Sequence, residues 1–147
     1  MPSKAEQILA RITAVLLAGA TPAGTNVFRD REDALSTDEP RCYLIEPLDE
    51  DTKPLGGGAQ VFAGRDDDTL RFAITSCIRG ANWQTQADEQ RVTAHQLLAK
   101  DPQLRLLINA LRRERCEWKA ANADQPFGYA AQIYSARYTT STLALDA

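Results

Sequence analysis

The chain has 147 residues, of which 44% are hydrophobic and 25% charged, proportions typical of a single globular domain that buries its own core. It contains no run of 18 or more apolar residues, and Lys4, Glu6 and Arg11 interrupt its N-terminal apolar stretch, so neither a membrane span nor a signal peptide is expected. The three cysteines are far apart and form no CxxC motif, which argues against a disulfide framework or a zinc site and favours the cytoplasm.

The net charge of −3 is unevenly distributed along the chain. Residues 27–68 contain twelve acidic and five basic residues, a balance of −7, which leaves +4 for the remainder. An acidic region repels phosphates, so we do not expect this part of the protein to bind DNA or RNA.

The first predicted element is an amphipathic helix at about residues 4–18. Ser3 and Glu6 form a capping box, and apolar residues then recur at helical spacing as far as Gly19. A short strand is predicted near residues 25–31, and a second strand, CYLIE, ends at Pro47.

Residues 48–68 are predicted to form a flexible acidic and glycine-rich loop, with QVF as a possible hairpin arm. Its triple glycine, Gly56 to Gly58, lacks the GK[ST] that would indicate a phosphate site. Its acidic triplet lacks the spacing of a calcium loop, which favours a solvated turn over a metal site. The triplet consists of Asp66, Asp67 and Asp68.

The second half of the chain begins with the clearest strand, LRFAITSCIRG, which alternates with period two. A helix at about residues 85–100 ends at the dipeptide DP, followed by two further helical turns, a strand at about residues 110–120 and a last strand, YAAQIYSARYTT. The predicted order is αβββαββ. We therefore predict a single α+β domain over residues 1–147, with a mainly antiparallel sheet of four to five strands and two helices on one face.

Candidate catalytic residues are few. His95, the only histidine, flanks the apolar face of its predicted helix, and no GxSxG elbow accompanies a serine. The cysteines fall among apolar neighbours, which predicts buried side chains without a redox or metal role. They are Cys42, Cys77 and Cys116. No enzymatic activity, cofactor or metal is expected.

The aromatic and basic residues favour structural roles in the same way. We expect the large aromatic side chains in or beside the core. They are Trp83, Trp118, Tyr134 and Tyr138. The basic cluster LRRER, Arg112, Arg113 and Arg115, is diluted by glutamates, which favours a solvated or intersubunit salt-bridged face over nucleic-acid binding.

A run of five charges lies between two apolar segments. It consists of Arg29, Asp30, Arg31, Glu32 and Asp33. Such a run is most often a solvated connection, but fixed charges of both signs beside a sheet edge also make a specificity device for a subunit contact.

Six segments occur in an order that resembles a known family. They are FRDREDAL, PRCYLIEPLDE, LRFAITSCIRG, ADEQRVTAHQLLAKDPQL, CEWKAANAD and IYSARYTT. As an ordered set spanning nearly the whole chain, they resemble the tail terminator family of long-tailed bacteriophages, of the minor tail protein U type, including prophage-encoded members.

The resemblance implies a small α+β structural protein, not an enzyme. Copies assemble into a ring, typically of six, on the end of the tail tube, where they stop polymerisation of the tube protein and present a surface to head-completion proteins. The protein is then expected in the host cytoplasm during assembly and afterwards in the virion tail, and DNA passes through the ring without specific binding.

The resemblance also implies positions for the charged residues. The run from Arg29 to Asp33 lies at a subunit or tail contact, and an acidic loop lies towards the lumen or a ring face. The residues of that loop are Asp49, Glu50, Asp51, Asp66, Asp67 and Asp68. The alternatives are a neck or head-closure connector and a small DNA-binding accessory protein.

Overall fold

Five strands and three helices make up the computed structural model, which describes residues 1–29, 40–55, 64–121 and 126–147. The helices are α1 Lys4–Ala18, α2 Trp83–Lys100 and α3 Pro102–Leu107. The strands are β1 Val27–Phe28, β2 Arg41–Pro54, β3 Arg65–Arg79, β4 Ala110–Ala121 and β5 Phe127–Ser141. Within the described ranges, no helix is long and apolar enough to cross a membrane.

The strands form one sheet in the order β1-β2-β3-β5-β4. The two-residue β1 is parallel to β2, and the other three pairings are antiparallel. The predicted α+β class is confirmed. The mainly antiparallel sheet and the order αβββαββ are roughly matched, since β1 adds one parallel pairing and α3 is a separate short helix.

Helices α1 and α3 begin where their capping residues predict. The Ser3 side chain accepts a hydrogen bond from the backbone N–H of Glu6, and α1 then buries an apolar stripe on the sheet. Asp101 caps α3 by accepting from the backbone N–H of Leu104 at 2.8 Å, and its carboxylate also binds the Arg11 guanidinium at 2.6 and 2.8 Å. One carboxylate therefore joins α1 to α3.

The main core lies between α1, α2 and one face of the sheet. On β3 the buried Leu70, Phe72 and Ile74 face the helices, and Phe72 stacks on Tyr134 of β5 with ring centroids 5.3 Å apart. The alternation predicted for β3 thus explains which face the helices cover.

The predicted loop at residues 48–68 is wrong over much of its length. Strand β2 continues to Pro54 and β3 begins at Arg65, and the two strands stay paired as far as Pro54 opposite Asp66. Strand β5 pairs with β3 over this whole stretch, so the long-range partner stabilises strand where local composition indicated turn. The triple glycine and QVF lie outside the described residues.

The predicted burial of the aromatic residues and cysteines is only partly correct. Tyr134, Tyr138, Cys42 and Cys77 are buried, but Cys116 is half-buried and Trp118 is 44% exposed. The reason is position, because Cys116 and Trp118 lie on β4, the outermost strand of the sheet.

Trp83 is half-buried and packs closely against the backbone of β5. A Cβ atom built on Gly128 would lie 2.2 Å from the Trp83 ring, so only glycine allows this approach. The Trp83 and Trp118 ring centroids are 6.5 Å apart, and the Arg91 guanidinium lies over Trp118 at 5.3 Å. Trp118 is thereby held in place at the edge of the helical layer.

Candidate functional site

Of the charged run Arg29 to Asp33, the structure describes only Arg29. The Arg29 guanidinium forms two bonds with the Glu6 carboxylate on α1, at 2.5 and 2.9 Å. These hydrogen bonds lower the pKa of Glu6. The other members of the predicted contact, Asp30, Arg31, Glu32 and Asp33, lie outside the described residues.

The six carboxylates predicted to lie in a loop are instead on two paired strands. Asp49, Glu50 and Asp51 belong to β2, and Asp66, Asp67 and Asp68 belong to β3. We call residues 49–54 of β2 and 66–71 of β3 the acidic arm, since the register runs from Asp49 opposite Arg71 to Pro54 opposite Asp66. The carboxylates therefore have fixed positions relative to the sheet.

Three carboxylates of the acidic arm have partners inside the protein. Asp68 is 5% exposed and accepts hydrogen bonds from the hydroxyl groups of Thr52, at 2.6 Å, and Thr140. Asp67 pairs with Arg137 at 2.7 Å. Asp49 pairs with Arg71 at 3.1 Å. These residues hold β2, β3 and β5 together.

The other three carboxylates of the acidic arm are Asp66, which is half-buried, and Glu50 and Asp51, which remain available to a partner. Glu50 and Asp51 are exposed and form no ion pair with any described residue. Glu50 still affects its surroundings: burial and then the charges of Glu50 and Asp68 raise the pKa of Tyr138. The outward surface of the arm is therefore negative.

A basic surface lies at the opposite edge of the sheet. Arg112, Arg113 and Lys119 of β4 are exposed and form no ion pair with residues in the described ranges. Glu114 follows them at the β-bulge between Arg113 and Arg115, and its carboxylate binds Arg71 at 3.1 Å. Sequence reasoning identified the basic cluster but not its position, which depends on β4 being an edge strand.

The sheet separates His95 from two of the three cysteines considered for catalysis. His95 lies on the helical side, where its Nδ1 is 3.1 Å from the Tyr134 hydroxyl, and burial and then the charge of Arg113 lower its pKa. Cys42 and Cys77 are direct cross-strand neighbours in a separate cluster on the other face. The hydrogen bond to Cys42, with burial, raises the pKa of Cys77 and keeps the thiol protonated at neutral pH.

Cys116 is also a poor nucleophile, since burial raises the pKa of its thiol. In the part of the chain that the structure describes, no group of three or more histidine, cysteine or acidic residues is arranged to hold a metal ion. The described geometry thus offers charged surfaces rather than a constellation for acid–base or nucleophilic chemistry.

Sequence reasoning missed an apolar groove on the sheet face opposite the helices. The groove has a volume of about 340 Å³. Its lining includes Leu44, Ala73, Thr75, Cys77, Ala131 and Ile133. The available signal was a group of apolar residues in the alternating set that faces away from the helices, on both β3 and β5. They are Ala73, Cys77, Ala131 and Ile133.

Comparison with known proteins does not place the chain in a family: no protein-family model matches it, and a search of curated proteins finds no match. The functional interpretation therefore depends on the charged surfaces above and on the ordered segments of the sequence.

Proposed function

We propose that this protein is a structural tail terminator. Copies form a ring, of about six subunits as the resemblance implies, on the end of a phage tail tube, stop its polymerisation and provide the attachment surface for head-completion proteins. The observation that carries the proposal is the acidic arm, which combines with the order of the six segments that resemble the family.

The acidic arm suits a conduit for DNA. Residues 49–54 and 66–71 together contain six acidic and two basic residues, a balance of −4. The Asp67–Arg137 and Asp49–Arg71 ion pairs hold these strands in place, so the negative charge of the arm as a whole has a fixed direction. A carboxylate surface repels the phosphate backbone and lets DNA pass without adhering. The same surface argues against the DNA-binding accessory role.

The charged run suits a subunit or tail contact. It begins at a fixed point, because Arg29 is joined by two hydrogen bonds to Glu6 on α1. Charges of both signs that start from such a point discriminate between partners by attraction and repulsion, and contribute more to specificity than to affinity. This role needs no cofactor, metal or enzymatic step.

The test is complementation of a long-tailed phage of the chain's own host from which the corresponding gene is deleted. We expect electron micrographs of the deletion lysate to show overlong, headless tails, and expression of this chain to restore normal length and head attachment. Tails of normal length that lack heads in the deletion lysate would instead support the neck or head-closure connector. Normal, complete virions in the deletion lysate would contradict both assignments.

A further inference from the structure

We propose that copies of this chain associate head to tail, with the outer edge of β2 in one copy pairing with the outer edge of β4 in the next. This inference rests on the self-association in the proposed function, but not on its location at a phage tail. It names a surface other than the charged run, and the occupant of each edge is a second copy.

Both strand edges lack a backbone partner among the described residues. Strand β1 pairs with β2 only at Tyr43 and Leu44, so residues 46–54 of β2 have no strand neighbour on that side within the described ranges. Of the strands that the structure describes, β4 pairs with β5 alone. An edge of this length presents backbone N–H and C=O groups that can hydrogen-bond to another strand.

The two edges have opposite charge. Residues 46–54 contain four acidic residues and one lysine, a balance of −3. Strand β4 contains four basic and two acidic residues, a balance of +2. Like charges directly opposite each other destabilise a strand pair and opposite charges stabilise it. Charge thus disfavours pairing of β2 with β2 or of β4 with β4, and favours β2 with β4.

The features that normally prevent edge strands from pairing with another chain are present here, but they leave parts of both edges able to pair. Charged residues, prolines and bulges normally discourage promiscuous pairing. Pro47 and Pro54 border β2's outer segment, but the six residues between them are free of proline. The bulge between Arg113 and Arg115 lies inside β4 and leaves Arg112 and Arg113 in regular register with β5.

The direction of the strands suits this pairing. Three successive antiparallel pairings separate β2 from β4, so the two strands run in opposite directions within one copy. A second copy that continues the sheet in the same orientation therefore places its β2 antiparallel to β4 of the first. Its helices then cover the same side of the extended sheet.

The side chains also match across the proposed contact. Glu50 lies opposite Leu70 and Arg113 opposite Tyr134, so both face the helical side. Asp51 and Arg112 face the other side, since side chains alternate along a strand. One antiparallel register places Glu50 opposite Arg113 and Asp51 opposite Arg112.

The symmetry of this contact explains how a ring can arise. The contact joins two different surfaces, so an open assembly of any length keeps one free β2 edge and one free β4 edge. Head-to-tail contacts of this type generate a closed ring when the rotation between copies closes, and a filament when it does not. The chain therefore needs no symmetric dimer as an intermediate.

The experiment uses two reciprocal charge-reversal variants of the full chain. One carries Arg112→Glu with Arg113→Glu, and the other carries Glu50→Lys with Asp51→Lys. Sedimentation velocity at low and physiological salt measures the self-association of each. We expect each variant alone to raise the dissociation constant at least about tenfold. We expect an equimolar mixture to recover association, because each edge then has an oppositely charged partner.

Two single reversals on the exposed surface of α2 serve as controls for charge alone. They are Lys100→Glu and Glu89→Lys, and neither should change the dissociation constant by more than about twofold. Circular dichroism and thermal unfolding establish that every variant folds.

The mixture is the decisive measurement. Wild-type association that is absent, or that neither reciprocal variant weakens, overturns the edge pairing, as does a mixture that associates no better than its components. If the edge pairing is overturned in one of these ways but the wild-type chain still rescues the deletion phage, the proposed function stands and only the edge pairing is wrong. Recovered association in the mixture without phage rescue supports the edge pairing and counts against the phage assignment.

Discussion

The helical layer and the two sheet edges use charge in different ways. In the helical layer, Arg11 binds the Asp101 carboxylate and Arg29 binds Glu6, so each guanidinium joins two elements of the same chain. At the edges, Glu50 and Arg113 have no ion-pair partner among the described residues. The difference indicates that the first set of charges stabilises the fold and the second is available for a partner.

The largest loss of stability is expected for a substitution in the core under the helices. Phe72→Ala removes a fully buried ring that stacks on Tyr134, and we expect the free energy of unfolding to fall by about 3–5 kcal/mol. Leu48→Ala, a truncation on the exposed part of β2, is the control and should change it by less than about 0.5 kcal/mol. If urea denaturation shows the same loss in the free energy of unfolding for both variants, the distinction between core and edge is wrong.

The second prediction concerns the carboxylate that joins α1 to α3. Asp101→Ala removes both the cap of α3 and the ion pair with Arg11, which should lower the free energy of unfolding by about 1–2 kcal/mol. Asp101→Asn keeps a good capping residue and loses only the charge, so the free energy of unfolding should fall less than in Asp101→Ala. If Asn is as damaging as Ala in the same denaturation series, the cap contributes nothing.

A third prediction follows from the pH dependence of the same pair. The hydrogen bond from Arg11 lowers the pKa of Asp101 below its ordinary value of 3.8. A lowered folded-state pKa gives stability that is complete above pH 3.8 and is lost as the pH falls through the lowered pKa. The stability gap between wild type and Asp101→Asn should therefore narrow on acidification below pH 3.8, as measured by urea unfolding at several pH values. A gap that widens in acid would contradict this origin.

The smallest effect on stability, but not on assembly, is expected in the charged run. Arg31→Glu adds like charge to an acidic neighbourhood, which costs little in an exposed segment and more in a desolvated contact. We expect thermal unfolding and circular dichroism to match the wild type, and the deletion phage to remain unrescued, with overlong and headless tails. Rescue with normal tails would separate this run from the working contact.

The elements that the sequence predicted well are those with strong local signals. Ser3 with Glu6, and the DP at Asp101, define helix starts through hydrogen bonds within four residues, and the alternation on β3 identifies its buried face. These signals depend only on neighbouring residues, so they can be recognised in the sequence without knowledge of the fold.

The errors arise where a distant strand determines the structure. Residues 48–54 contain one proline and three acidic residues, a composition typical of loops, but this segment pairs with β3, which in turn pairs with β5 near the C-terminus. The exposure of Trp118 likewise depends on β4 being at the edge, a property of the strand order. The basic cluster could be found in the sequence, but its position opposite the acidic arm could not.

The cross-strand neighbours Cys42 and Cys77 give the protein an internal reporter of sheet opening. Both sulfurs are buried, and the raised pKa of Cys77 keeps its thiol in the unreactive protonated form. Cys77 borders the apolar groove, but Cys42 is fully buried, so a thiol reagent can reach Cys42 only when the structure around it opens. The labelling rate of Cys42 therefore measures how often the centre of the sheet opens. Half-buried Cys116 should react first and provides the reference within the same molecule.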